Sequence, residues 1–473
     1  MGAHSLPVMS SASGGCAPNP SDPGLLSPPE VSLLIDLYEL TMSASYLREG
    51  MNEQAIFELF ARRLPPDREW LLAAGLGPTL ELIRELRFGD RELAYLRSLG
   101  LFADEFLDYL AAFRFQGDID AIPEGTACFA NEPLIRVAAP LIEAQLLETL
   151  LLNQINFQTM VATKAARVVL AAGGGEPGAG ERVVDFSPRR DHGTDAAMKV
   201  ARSASVAGCA GTSNVAAAMR YGLRPVGTMA HSYVLSFDDE QEAFRKFIES
   251  FPESTVMLVD TYDTLEGVRH AISAAQGASI ALAGVRLDSG NLLELSREAR
   301  RLLDEAGMTA TRIAASGDLE ERQIAGLVAA GAPIDLWGVG TDLGTSRDSP
   351  VVNGVYKLVA YSRGGEWRGV WKRSADKATM PGPKQVFRRY RDGTMTGDVI
   401  GAADEALDGE PLLVPAMRGG DIVSVESLEE IRARSSVQLA ALPEALRRSP
   451  SSQAVDPYPV SYSERLRAAI AGP

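Results

Sequence analysis

The chain has 473 residues, enough for one large core or for two to three domains, and its apolar share of 46% is ordinary for a soluble globular protein. The 62 Asp and Glu residues outnumber the 46 Lys and Arg residues, which gives a formal net charge of −16. Because nucleic acids and anionic membrane surfaces attract basic proteins, this charge argues against both as partners.

The first segment, residues 1–30, is predicted to be a disordered tail. It is rich in Ser, Gly and Pro and cannot bury enough apolar surface to offset the entropy of ordering. It lacks the basic start and apolar core of a signal peptide, and no later apolar run is long enough to span a membrane. Three widely spaced cysteines with no metal-type spacing indicate a reducing compartment. We therefore expect a cytoplasmic protein.

Residues 31–155 are predicted to form an N-terminal α+β domain with a linking helix. A helical stripe begins near Leu33, and residues 53–62 alternate as a strand does. Helical patterns and short strands punctuated by Pro and Gly follow. A long apolar helix over residues 141–172 is expected to join this domain to the next.

Residues 156–353 are predicted to form a second domain of repeated strand, loop and helix. This alternation implies parallel strands with right-handed crossovers, in a barrel or in a doubly wound sheet. The predicted helices cover residues 195–209, 239–250, 264–275, 292–306 and 319–330. The predicted strands cover residues 183–186, 224–228, 255–260, 280–288, 311–316 and 334–340.

Polar residues follow these strands at their carboxyl ends. In a parallel barrel such ends converge on one face, where ligands bind. His231, one of only four histidines, lies at one of them, although a lone histidine beside apolar residues is more often structural. Turn formation alone does not account for six ends of this kind, which are residues 187–190, 228–231, 260–261, 288–291, 316–318 and 338–341.

The last strand ends in Gly338 and Gly340, followed by Thr341. Glycines let backbone N–H groups approach an anion and the threonine hydroxyl adds a hydrogen bond, a combination that suits a monophosphate. The third glycine of a dinucleotide-binding motif is absent. Residues 288–290 and 316–318 have the pattern of strand-to-helix turns, but an acidic residue there can also hold ribose hydroxyls or a magnesium-bound water.

Arg286 lies inside an otherwise apolar strand. An arginine is costly to bury unpaired, so it is predicted to meet a carboxylate, either that of Asp288 or that of a ligand. If His231 is a nucleophile, one ring nitrogen must face the electrophile while a hydrogen bond to the other fixes the tautomer. Either Asp260 or Asp288 is a candidate for that orienting partner.

Residues 354–473 form a C-terminal segment of short strands that ends in an amphipathic helix near residues 462–470. Among the strands lies a basic segment that contains Lys372, Arg373, Lys377 and Lys384. It is either a solvated loop or, in so acidic a protein, a group of cations that faces a phosphate.

Taken together, these motifs resemble the nicotinate phosphoribosyltransferase family, within the type II phosphoribosyltransferases. They occur in order over most of the chain. The matching segments are LLIDLYELTMSASYL (33–47), FELFARRLP (57–65), TKAAR (163–167), DFSPRR (185–190), GTSNVAAA (211–218), GTMAHSYV (227–234), VDTYDT (259–264), GVRLDSGN (284–291), GVGT (338–341), GVYKLV (354–359) and KATMPGPKQVFR (377–388).

The resemblance implies an α/β fold: an irregular parallel α/β barrel beside an α+β domain formed from the N- and C-terminal parts of the chain, in a homodimer. It also implies transfer of 5-phosphoribose from phosphoribosyl diphosphate (PRPP) to nicotinate in NAD biosynthesis. The products would be nicotinate mononucleotide and diphosphate. ATP would be a co-substrate and would drive the transfer through a phosphohistidine, and Mg²⁺ would accompany the diphosphates.

The site residues implied by the resemblance are specific. His231 would be phosphorylated, and Tyr38, Thr228 and Arg286 would contact nicotinate. No metal ligands are assigned. The residues that would contact phosphoribosyl diphosphate are Arg189, Arg190, Asp288, Ser289, Gly290, Ser316, Gly338, Gly340, Thr341 and Lys377.

Two other functions remain open. A relative that uses nicotinamide or quinolinate would share the fold, but a nicotinamide enzyme is expected to carry an aspartate near Ser213, which is neutral here. A non-catalytic sensor of phosphoribosyl ligands would be expected to lack the histidine or the phosphate turn, and both are present.

Overall fold

A computed structural model of the protein describes Leu26 and residues 29–173, 179–253, 255–371, 379–448 and 456–471. Two 3₁₀ helices, Pro29–Leu33 and Ala179–Arg182, accompany the elements below. The strands, numbered in chain order, are β1 (Gln54–Ala61), β2 (Leu71–Leu72), β3 (Asp118–Ala121), β4 (Ala127–Cys128), β5 (Pro133–Pro140), β6 (Val183–Asp185), β7 (Gly211–Thr212), β8 (Val256–Leu258), β9 (Gly284–Leu287), β10 (Arg312–Ala315), β11 (Leu336–Val339), β12 (Gly354–Arg363), β13 (Glu366–Gly369), β14 (Lys384–Arg391), β15 (Thr394–Ala402), β16 (Glu410–Pro411), β17 (Val414–Arg418), β18 (Asp421–Ile422) and β19 (Val460–Tyr462).

The α-helices in the same residues follow the same numbering. They are α1 (Leu37–Arg48), α2 (Leu76–Glu85), α3 (Asp90–Ser98), α4 (Asp104–Ala111), α5 (Leu141–Gln145), α6 (Glu148–Ala172), α7 (Thr194–Val206), α8 (Val215–Tyr221), α9 (His231–Leu235), α10 (Glu240–Ser250), α11 (Thr264–Ala278), α12 (Leu292–Glu305), α13 (Glu321–Ala329), α14 (Thr341–Thr345), α15 (Leu428–Ala441), α16 (Glu444–Arg447) and α17 (Glu464–Ala471).

The largest sheet takes strands from both ends of the chain. Its order is β13-β12-β1-β5-β3-β17-β18, and β1 pairs antiparallel with β12 on one side and with β5 on the other. The Phe57 ring on β1 stacks on the Tyr356 ring on β12, with centroids 4.9 Å apart. Residues some 300 positions apart therefore share one core. A smaller sheet, β16-β14-β15-β19, lies in the C-terminal part of the chain.

The second part of the chain contains a parallel sheet, which confirms the predicted mixed α/β fold. Its six strands have the order β7-β6-β11-β10-β9-β8, and each pair is parallel. The strands are mostly buried, as their continuous apolar runs predict for a sheet covered by helices. Between them lie α7 to α13, so the carboxyl ends of the strands face one way.

One predicted strand, residues 224–228, is wrong. Only Pro225 makes a β-bridge there, to Thr212. Pro225 has no backbone N–H to donate, and this interrupts further pairing. The sheet of the described residues therefore has edges at β7 and β8.

The linking helix is also shorter than predicted. The chain turns at Leu146 and Leu147, which separate α5 from α6. Ile155, in the first half of α6, packs into the core of the large sheet, whereas Val161 and Leu170, further along, pack into the core of the parallel sheet. This one helix joins the two cores, which explains why it is apolar on most sides.

The basic segment of the C-terminal part is only partly described, and Lys377 lies outside the described residues. Lys384 does not face a phosphate. Its Nζ atom lies 2.8 Å from Oε2 of the fully buried Glu58 and donates to the carbonyls of Met380 and Gly382. The lysine therefore joins β14 to the large sheet.

Within the described part of the chain, the apolar helices are all too short or too charged to cross a bilayer.

Candidate active site

Arg286 is the centre of a hydrogen-bonded cluster at the carboxyl ends of the parallel strands. Its Nε donates to Oγ of Ser316 at 2.7 Å, and its Nη2 donates to Oδ1 of Asp288 at 2.6 Å. Nη1 donates to Oγ1 of Thr228 at 3.1 Å. The ends of β9 and β10 and the loop residue Thr228 thus hold one guanidinium, and the Arg286 side chain remains 13% exposed.

The Asp288 carboxylate is held ionised by this arrangement. Burial raises its pKa, but the hydrogen bond from Ser316 and the charge of Arg286 outweigh burial and leave the pKa below its ordinary value. Because Arg286 and Asp288 lie two residues apart, their side chains share one face of the chain where β9 ends.

His231, predicted at the end of a strand, is the first residue of α9. Its Nδ1 lies 3.2 Å from Oγ1 of Thr261. Its Nε2 lies 3.9 Å from Oδ1 of Asp260 and 3.9 Å from Oδ2 of Asp288. The ring is 41% exposed, so it is both oriented and accessible. The sequence left Asp260 and Asp288 as alternative partners, and the structure places both beside the same nitrogen.

Among the described residues, only one of the two carboxylate oxygens of Asp260 accepts hydrogen bonds. Its Oδ2 accepts from the backbone N–H of Asp288 at 2.9 Å and from the hydroxyl of Ser289 at 2.8 Å. Its Oδ1 is buried and makes no hydrogen bond to any described residue. A buried acceptor without a partner is costly, and this one points toward the imidazole.

Phe186 also belongs to the cluster, although the sequence motifs assign it no role. The guanidinium carbon of Arg286 lies 5.4 Å from the centre of its ring. A Cβ at Gly338 would come within 2.5 Å of the same ring. Gly338 therefore makes room for Phe186, a role that differs from the predicted contact with phosphate. The position of Phe186 at the end of the strand predicted over residues 183–186 was the available signal.

The position after Ser316 accepts only glycine. Gly317 has φ +90°, and a Cβ there would lie 1.8 Å from the carbonyl oxygen of Asp288. The close approach of these two backbones brings Ser316 within hydrogen-bonding distance of Asp288. Gly290, with φ +85°, lies in the exposed turn before α12.

The predicted phosphate residues lie at neighbouring strand ends. Gly340 and Thr341 follow β11, and α14 begins at Thr341. Arg189 and Arg190 follow β6, which pairs with β11, and both are exposed. Nearby, Asp191 is half-buried and shares a hydrogen bond with Ser187. Burial, together with the charge of Asp185, raises the pKa of Asp191 to about 6.

Comparison with known proteins places the chain in a family. The chain matches the nicotinate phosphoribosyltransferase N-terminal domain over residues 33–156, the nicotinate phosphoribosyltransferase family over residues 182–386 and the C-terminal domain over residues 405–469. The chain belongs to the nicotinate phosphoribosyltransferase family.

Individual relatives agree with this assignment. Nicotinate phosphoribosyltransferase pncB2 of Mycobacterium tuberculosis is 48% identical over 439 residues, which cover 92% of each chain. The nicotinate phosphoribosyltransferase of Bacillus subtilis is 43% identical over 391 residues, covering 81% of this chain and 78% of the relative. The crystal structure of human nicotinic acid phosphoribosyltransferase superimposes with a TM-score of 0.79 at 28% identity, over 92% of this chain and 99% of the human one.

Tyr38, which the resemblance to nicotinate phosphoribosyltransferases assigned to nicotinate, lies apart from the Arg286 cluster. It lines a cavity of about 350 Å³ together with Glu148, Asn156 and Val351, and the residues around that cavity do not include Thr228, His231 or Arg286. Its side chain is 46% exposed.

Proposed function

We propose that this protein transfers 5-phosphoribose from phosphoribosyl diphosphate to nicotinate, giving nicotinate mononucleotide and diphosphate in NAD biosynthesis. The observation that carries the proposal is the Arg286 guanidinium, which lies near the Phe186 ring and beside the Thr228 hydroxyl. A planar pyridine carboxylate matches a cation, an aromatic surface and a hydroxyl donor held in this way.

In the proposed reaction the pyridine nitrogen forms a bond to C1 of the ribose. The bond from C1 to the diphosphate oxygen breaks, and diphosphate leaves with the electron pair. The ribose becomes cation-like in the transition state, so the protein acts mainly by positioning the two reactants and by neutralising phosphate charge. Gly340, Thr341, Arg189 and Arg190 lie on adjacent strand ends and are our candidates for the phosphate contacts.

We further propose that His231 accepts the γ-phosphoryl group of ATP. The ring is exposed, and the Thr261 hydroxyl orients its Nδ1. The P–O bond to the γ-phosphoryl group of ATP breaks, ADP leaves with the electron pair, and a P–N bond forms to the imidazole. Water later breaks that P–N bond, which gives inorganic phosphate and the free histidine. Coupling requires only that the phosphorylated and free forms differ in their affinities for substrates and products.

Mg²⁺ fits the same place. Asp260 and Asp288 offer carboxylate oxygens next to His231, and Oδ1 of Asp260 has no other described partner. Mg²⁺ commonly binds through one or two carboxylates together with substrate phosphates. Asp260 and Asp288 are therefore our candidate ligands. The bound ion would neutralise charge on the diphosphate.

The barrel and the homodimer are also proposals. Around the parallel sheet the strands follow chain order, and β11 pairs with β6, the first strand, which is the order of a barrel with one open side. Tyr38 is exposed and lines a cavity whose lining lacks Thr228, His231 and Arg286, which supports a site completed by a second copy of the chain. A cytoplasmic location agrees with the buried thiols Cys128 and Cys209.

Steady-state turnover of nicotinate, nicotinamide and quinolinate with phosphoribosyl diphosphate tests the substrate. We expect kcat/KM for nicotinate to exceed that for nicotinamide by orders of magnitude. Ser213 supports this expectation, because it is neutral and its buried hydroxyl has no described hydrogen-bond partner. Equal rates with nicotinate and nicotinamide, or turnover of quinolinate alone, would refute the assignment.

A further inference from the structure

Lys164, on α6, connects two loops of the candidate site from behind. Its ammonium group is buried and forms ion pairs with Glu321 and with Asp348, the latter at 2.9 Å. Glu321 is the first residue of α13, shortly after Ser316, and Asp348 follows α14, which begins at Thr341. One buried cation therefore bridges the segments that follow β10 and β11.

Arg68 reaches the second of these segments from the N-terminal domain. Its Nη1 and Nη2 atoms donate to the two oxygens of Asp348 at 2.8 and 3.0 Å, and Nη2 also donates to Oγ of Ser346 at 3.1 Å. Ser346 ends α14 in the left-handed conformation, with φ +45°. The Arg68 side chain is only 2% exposed.

The two cations Arg68 and Lys164 keep the Asp348 carboxylate charged. Burial raises the pKa of Asp348, but the hydrogen bonds and charges of Arg68 and Lys164 outweigh burial and hold it well below its ordinary value. The Lys164 side chain is only 1% exposed and pairs with two carboxylates, so it does not reach a ligand itself. Replacing buried ion pairs with apolar residues is often neutral or stabilising, so their presence is weak evidence for a role in stability alone.

We propose that Arg68, Lys164 and Asp348 are positioning residues that hold the segment after β11, and with it Gly340 and Thr341, in the geometry that binds the phosphate end of phosphoribosyl diphosphate. The inference rests on the proposed function. It adds that the N-terminal domain sets the affinity for this substrate through Arg68, although it contributes no contact to the ligand at that point.

The test measures binding of phosphoribosyl diphosphate by titration calorimetry, without nicotinate, in the full-length wild-type, Asp348→Asn and Lys164→Met proteins. We expect Kd to rise at least tenfold in both variants. In turnover assays, KM for nicotinate and kcat at saturating phosphoribosyl diphosphate should stay within about threefold of wild type. Arg68→Lys keeps the charge but not the two-pronged contact, so its Kd should lie between wild type and Asp348→Asn.

Arg322→Gln is the matched control. Arg322 follows Glu321, and it forms an exposed pair at 3.2 Å with Asp67, the neighbour of Arg68. This variant removes an ion pair between the neighbour of Arg68 and α13, the helix that begins at Glu321, without touching Asp348, and its Kd should match that of wild type. If Lys164→Met does not fold, Asp348→Asn still tests the inference, because the Asp348 side chain is 34% exposed.

Two results would overturn the inference. In the first, Asp348→Asn binds phosphoribosyl diphosphate within twofold of wild type. In the second, the affinities for both substrates and the thermal midpoint fall together, which indicates a general loss of structure. If wild type binds phosphoribosyl diphosphate but forms no nucleotide product, the proposed function fails, and the comparison of Kd values still tests the positioning role.

Discussion

Nη2 of Arg286 lies 2.6 Å from Oδ1 of Asp288, two residues further along the chain. This pairing fixes one side of the guanidinium, while Nη1 donates to the Thr228 hydroxyl and makes a long contact of 3.5 Å to the carbonyl of Met229. Asp288 in turn faces His231. The two residues thus connect the proposed nicotinate contact with the proposed phosphohistidine.

Arg286→Lys should impair nicotinate binding while leaving the protein folded. Lysine keeps the charge but cannot hold Ser316, Asp288 and Thr228 at once. A hydrogen bond to a charged group contributes roughly 1.5–3 kcal/mol, so KM for nicotinate should rise about tenfold to a hundredfold. Arg312→Lys, at the opposite end of the neighbouring β10 and exposed, is the control. An unchanged KM in Arg286→Lys would exclude this arginine as the carboxylate contact.

His231→Ala should abolish the stimulation of product formation by ATP, while slower transfer without ATP survives. The substitution removes the only group we assign to phosphoryl transfer and leaves Arg286 in place. Incubation with γ-labelled ATP should leave acid-labile label on wild type and none on the variant. His270→Ala is the control, because His270 lies within α11 and pairs with Glu240 at 2.8 Å. Retention of ATP coupling in His231→Ala would remove this residue from the mechanism.

Gly317→Ala and Gly307→Ala compare two costs of adding a Cβ: the strain of a left-handed backbone, and a collision with a neighbouring atom. Both glycines have positive φ, at +90° and +76°, but a Cβ at Gly307 meets no atom within 4 Å. Gly307→Ala should cost about 1 kcal/mol of stability from the left-handed conformation alone. Gly317→Ala should cost roughly 3 kcal/mol or more, because its Cβ collides with the Asp288 carbonyl, and should also lose activity. Urea unfolding measures both, and equal losses would contradict the geometry at Asp288.

Glu39 should make stability depend on pH. Burial raises its pKa from 4.5 to about 7, aided by the charges of Glu148 and Asp36 and opposed by a hydrogen bond from Thr149. Because the folded state binds this proton more tightly than the unfolded chain, the contribution is complete below about pH 4.5 and is lost as pH rises to about 7. At ~1.4 kcal/mol per pKa unit, the loss is at most roughly 3 kcal/mol.

Glu39→Gln should remove this slope, since glutamine does not titrate. Thermal unfolding measured from pH 4.5 to pH 7 checks the change. Between these two pH values the variant should lose less stability than wild type loses. Glu49→Gln replaces an exposed carboxylate just after the same helix and should keep the wild-type slope. If stability falls with pH equally steeply in wild type and in Glu39→Gln, the folded protein does not bind the Glu39 proton more tightly than the unfolded chain does.

The parallel sheet was predictable because most of its strands are short apolar runs that end in turn-forming residues. β7 was missed, since a strand of two residues carries no periodic pattern. The strand predicted over residues 224–228 was wrong. The segment has an apolar pattern typical of a strand, but Pro225 limits its pairing. The break between α5 and α6 was missed because both helices are apolar and buried, so periodicity does not mark the turn.

By itself, the sequence determined which chemical groups follow the strands and in what order: an imidazole, carboxylates, hydroxyls and glycines. Only the tertiary structure decided that Asp260 and Asp288 both flank His231, and that Phe186 lies beside Arg286. Periodicity specifies which face of a segment is apolar. The order and register of strands decide which faces meet, and both depend on contacts between distant parts of the chain.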